Sequence, residues 1–179
     1  MARTRTLNRI AVLILAALPA LAVAHPGHGL GVSFATGALH PLTGIDHLMA
    51  LAAVGLLAAR MGGWARLAIP AAFMTLLGAG IAIGFAGGEL VSIEAAILTS
   101  VIVCTVLAVV PPRRLPVATS ALVGLFALFH GNAHGFEAAD GSAHVQYAAG
   151  LMFTSALVIG ITGFIASHLA AAVPAAPRR

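Results

Sequence analysis

The stretch His40-Pro41-Leu42-Thr43-Gly44-Ile45-Asp46-His47 sets two imidazoles and a carboxylate inside an otherwise apolar part of the chain. A second stretch does the same: Phe129-His130-Gly131-Asn132-Ala133-His134-Gly135-Phe136-Glu137. His130 and His134 are spaced i, i+4, which stacks them on one helix face and suits two imidazoles on one metal ion. Glu137 continues that face. His40 and His47 are two helical turns apart and share a face in the same way. Pro41 and Gly44 between them loosen the backbone, so that a bend or a released carbonyl is expected there. Asp46 could ligate a cation directly or orient an imidazole from behind. Imidazole and carboxylate donors favour a borderline divalent metal such as nickel, cobalt or zinc over copper(I), which prefers sulfur. The same groups could instead form a buried hydrogen-bond network between helices.

Other polar groups are weaker candidates. Glu94 stands at the start of an apolar run, and His25 and His28 lie in the segment His25-Pro26-Gly27-His28, where they could capture a metal from solution. His144 and His168 sit near the ends of the last apolar run and read as interfacial. The lone cysteine, Cys104, excludes both an intrachain disulfide and a thiolate cluster, and it reads as a packing residue. No HExxH sequence, serine nucleophile motif or phosphate-binding loop is present, so the chain is not read as an enzyme and does not itself hydrolyse ATP.

The elements that must carry these groups are membrane helices. Of the 179 residues 60% are hydrophobic and only 8% are charged, with a mean hydropathy of +1.05. So few charges cannot cover a surface facing water, and lipid is the solvent that fits. Arg3, Arg5 and Arg9, the apolar run Ile10 to Val23 and the Ala22-Val23-Ala24 end form an export signal. Cleavage after Ala24 is expected, which assigns 1–24 to the signal peptide and 25–179 to a single transmembrane domain. Five apolar stretches follow, roughly Val32 to Ala59, Leu67 to Ala86, Ile93 to Val110, Leu115 to Gly135 and Val145 to Ala172. The expected fold is therefore an all-α, polytopic bundle of about five transmembrane helices. With the N-terminus outside and the C-terminus inside, Arg60, Arg66, Arg113, Arg114, Arg178 and Arg179 all fall on the cytoplasmic side. No basic stripe remains for nucleic acid. Both histidine clusters then lie in the outer half of the bilayer. Gly80-x-x-x-Gly84, with Gly78, Gly160 and Gly163, would let helices pack closely.

His40-x5-Asp46-His47 and Phe129-His130-Gly131-x-Ala133-His134-Gly135-x-Glu137 resemble the two signature motifs of the HupE/UreJ family of hydrogenase and urease accessory proteins. The resemblance covers the whole chain after the signal. It implies a nickel permease of the bacterial inner membrane, importing nickel(II), with cobalt(II) as the other cargo, to supply hydrogenase or urease maturation. Carried onto this chain, it makes His40, Asp46, His47, His130, His134 and Glu137 the metal-handling residues. The alternatives are an intramembrane metal-dependent enzyme and an accessory subunit that binds metal or haem.

Overall fold

A computed structural model of the chain describes residues 32–112, 114–138 and 143–172. The signal segment 1–24, His25, His28, Arg113, Asp140 and the C-terminal arginines lie outside the described residues. Among those described, every regular element is helical: α1 Phe34–Thr43, α2 Ile45–Met61, α3 Ala65–Phe85, α4 Ile93–Val109, α5 Pro116–Ala138 and α6 His144–Ala172.

The stops follow from local chemistry. Ser33 caps α1 through a reciprocal pair of bonds with Thr36. Pro41 has no N–H to give the Gly37 carbonyl, which weakens the last turns of α1. Gly44 then takes an extended conformation and ends the helix. Gly62 and Gly63, both at positive φ, turn the chain between α2 and α3. Pro111 and Pro112 follow α4, and Pro116 opens α5 at the position where a missing N–H costs nothing.

The continuous first helix expected over Val32 to Ala59 is thus two helices, bent by 81° at Gly44. The bend anticipated from Pro41 and Gly44 is nearly a right angle. Three helices, α3, α5 and α6, are long and apolar enough to cross a bilayer, and the bent α1–α2 pair makes a fourth if it counts as one span. The other apolar stretch forms α4, whose 17 residues extend about 26 Å at 1.5 Å per residue, just short of a hydrocarbon core of about 30 Å.

Large apolar side chains such as Leu67, Val117, Phe153, Ile161 and Phe164 point outward, as helices bathed in lipid require. The interior is filled by Leu51, Val54 and Leu57 of α2, Ile69, Phe73 and Leu77 of α3, Val123 and Ala127 of α5, and Leu151 and Ile159 of α6. Cys104 is buried in this core, in the packing role expected of it.

Helices α3 and α5 touch backbone to backbone. A methyl group added at Gly80 would strike the Leu128 carbonyl, and one at Gly84 would strike the Phe136 amide. From the other side, Gly131 abuts the Leu77 carbonyl and Gly135 the Ile81 carbonyl. The Gly80-x-x-x-Gly84 motif therefore packs as expected, and its partner is a second pair at the same spacing within the histidine motif. Gly163 approaches the backbone at Gly55, whereas Gly160 meets nothing and is exposed, so close packing there is not found.

Candidate metal centre

Two consecutive helices and a third, distant in the chain, deliver the imidazoles. His40 comes from the last turns of α1, His47 from the first turn of α2, and His130 and His134 from the C-terminal half of α5. On one straight helix His40 and His47 would be separated by about 10 Å along the axis. The 81° break folds α1 back, and their ring centroids are 5.1 Å apart. Sharing a face of one helix is not what joins them.

His47 is the hub. Its Nε2 is 2.9 Å from Nε2 of His134, and its ring lies 4.6 Å from that of His130. Its Nδ1 is 3.0 Å from Oδ1 of Asp46. A carboxylate can only accept, so the Nδ1 proton of His47 points at Asp46 and, in the neutral ring, Nε2 offers a lone pair. His134 then donates its Nε2 proton across the gap. The ring of His40 packs 4.5 Å from that of His134. Ligand atoms of His40, His47 and His134 all lie within 4.8 Å of one another. His130 and His134 are 5.6 Å apart between ring centroids, as the i, i+4 spacing requires.

The carboxylates divide. Asp46 backs His47, the orienting role rather than the centre of the group. Glu137 places Oε2 3.7 Å from Nδ1 of His134 while its side chain remains half exposed. Glu94 is exposed at the start of α4 and is not in the histidine group. His144 lies against Phe85, and His168 is exposed with Nδ1 2.9 Å from the Phe164 carbonyl; neither joins the cluster.

Two further residues belong to the surroundings of the site. Tyr147 of α6 faces His40 with ring centroids 6.1 Å apart. Asn132, between the two α5 histidines, is fully buried and bonded to the loop after α3. A narrow cavity bordered by His47, His130 and His134 is also lined by Leu51, Phe73, Leu77, Leu151 and Ser155. Val54, Leu57 and Ile69, with no exposed surface, close the core deeper along α2 and α3.

Comparison with known proteins places the chain in a family. The family model described as HupE / UreJ protein matches residues 12–179. The chain is also 37% identical over 149 residues to Protein HupE of Rhizobium leguminosarum bv. viciae, an alignment spanning 81% of this chain and 76% of that protein. The chain belongs to the HupE/UreJ family. No solved structure matches it. HupE/UreJ proteins form a hydrogenase and urease accessory family of nickel and cobalt transporters, and the apolar helices of this member make it a multi-pass membrane protein. Both motifs that carried the resemblance fall in the cluster just described.

For this HupE/UreJ chain, Asp46→Asn tests the orienting role. An amide can present its NH2 to Nδ1 and so release the ring from its present tautomer. Loss of such a supporting partner costs roughly 10–100-fold in metal affinity. Titration of the purified protein with nickel should show a loss of that size. Unchanged affinity would mean that Asp46 does not orient His47.

Proposed function

We propose that this protein is an inner-membrane permease that imports nickel(II), or cobalt(II), through the His40–Asp46–His47–His130–His134 cluster, and that the metal goes to hydrogenase or urease maturation. The observation that carries the reading is the meeting of three imidazoles from α1, α2 and α5 within 4.8 Å inside an apolar bundle. Ionisable groups at membrane depth are expensive and mark ion pathways.

The donor set supports a borderline divalent metal: imidazole nitrogens backed by a carboxylate suit nickel(II) or cobalt(II) better than copper(I), which prefers sulfur. The Nε2 atoms of His47 and His134, 2.9 Å apart, share a hydrogen bond. Metal entering between them replaces the hydrogen bond they now share.

In the proposed arrangement Glu137, with Glu94, His25 and His28, draws the ion from the periplasm, and the histidines replace its water shell. The signal 1–24 is removed, five helical segments traverse the membrane, and the chain begins outside and ends inside. Packing of Val54, Leu57 and Ile69 below the cavity closes the path to the Arg60–Arg66 side, so passage requires the helices to move. No ATP is needed. A membrane potential contributes about 2.3 kcal/mol per charge per 100 mV, so a dication can be accumulated on the order of a thousandfold. The chain acts as a carrier of metal and not as an enzyme.

Uptake of radioactive nickel and cobalt into vesicles containing only this protein tests the reading. Saturable uptake that stops when the inside-negative potential is dissipated is expected. Equal counts in vesicles with and without the protein would refute it. A reporter fused to the C-terminus should be active only in the cytoplasm; periplasmic activity would overturn the proposed orientation.

A further inference from the structure

Asn132 lies two residues from each of His130 and His134 and projects from the opposite side of α5. It has no exposed surface. Its Oδ1 accepts from the Leu90 N–H at 2.9 Å, and its Nδ2 donates to the Gly88 carbonyl at 2.6 Å. Its own backbone is fixed as well: a methyl at Gly80 would lie 2.7 Å from the Asn132 nitrogen and one at Gly84 2.6 Å from its carbonyl oxygen. The segment it grips is the turn between α3 and α4. That turn is built on two left-handed residues, Gly87 and Ser92, and it carries the exposed Glu89 and leads into the exposed Glu94.

We propose that Asn132 is a positioning residue that latches the acidic α3–α4 turn to the histidine-bearing helix, so that ion capture at the turn and the rotational setting of His130 and His134 are fixed together. The inference rests on the transport reading above. The chemistry is specific to a carboxamide. One end of the side chain must donate to a carbonyl and the other accept from an amide, within a space closed by backbone. The two bonds hold a half-buried turn from Gly88 to Leu90 onto α5, and losing either frees that side of the turn from the helix. Aspartate is the same size but can only accept, so it keeps the Leu90 bond and sets an oxygen against the Gly88 carbonyl.

Two measurements test the latch. In nickel uptake, Asn132→Ala should raise KM about tenfold with Vmax within a factor of about two, and Asn132→Asp should fall between it and the parent. A merely structural loss would lower Vmax in proportion to the folded protein and leave KM alone, and that result overturns the proposal. The second measurement does not depend on transport. In a Cys104→Ser background, Leu90→Cys changes the side chain of Leu90 but not its N–H. In detergent, maleimide should label that cysteine several-fold faster when Asn132→Leu, which is similar in size and loses both bonds, is added. Equal labelling rates overturn the latch even if Asn132→Ala proves too unstable to assay. If Leu90→Cys labelling responds as expected but the parent protein moves no nickel, the latch stands and the permease reading fails.

Discussion

Vesicles carrying His47→Ala are expected to take up nickel no faster than empty ones. His47 meets every other member of the cluster: His134 through Nε2, Asp46 through Nδ1, and His40 and His130 ring to ring. Truncating it removes a ligand and also leaves His134 and Asp46 without the partner that now orients each of them. Weakening one supporting contact costs 10–100-fold in affinity, so loss of the hub should exceed about a hundredfold. His134→Ala should behave alike, because it removes the other half of the 2.9 Å pair. His130→Ala should also abolish uptake, with its ring 4.6 Å from His47. His168→Ala is the control: it sits exposed on α6, bonded to its own helix, and should transport like the parent. Each variant must be shown to reach the membrane in normal amount. Normal nickel uptake by both His47→Ala and His134→Ala would mean that the histidines only pack the bundle, and the permease mechanism would be wrong.

Gly131→Ala should unsettle the whole bundle, while Gly160→Ala should pass unnoticed. Both residues are glycines within long apolar helices, and residue type alone does not separate them. At Gly131 the new methyl would overlap the Leu77 carbonyl, which belongs to a neighbouring backbone and cannot swing aside. Helices α3 and α5 would have to separate, giving up the contacts that hold them, since in lipid close van der Waals packing is the main attraction between helices. Overpacking of this kind costs about 1–3 kcal/mol or more. For a chain of this length that corresponds to a fall in Tm of about 2–12 °C. At Gly160 nothing lies within reach of the added methyl, which would point into lipid. Thermal unfolding in detergent measures both. Equal Tm values for the two variants would show that the α3–α5 contact is not as close as described. The site should suffer with the fold, because His130 adjoins Gly131.

Much of this was readable from residue types. A chain with 8% charged residues and 60% hydrophobic ones belongs in lipid, and apolar stretches of about 20 residues read as helices there. Histidines at membrane depth are expensive enough to mark the site wherever the helices run. Pro41 and Gly44 announced a weak point in the first apolar stretch, because a missing donor and a missing Cβ act within a few residues of themselves. Asn132 was equally visible as a polar residue in an apolar helix, but nothing near it in the chain points to its partner.

Only the tertiary structure decided what these features amount to. The size of the bend at Gly44, 81°, depends on where α6 lets α1 lie; Gly37 and Gly150 make that seat by bringing the two backbones together. That bend joins His40 to His47, which helical spacing alone would hold apart. Likewise the glycines of the α5 motif answer those of α3, and Asn132 answers a turn more than forty residues away. Spacing along a chain fixes which side chains share a helix face. Which neighbour that face meets is settled by the packing of all the helices at once, and no local pattern records it.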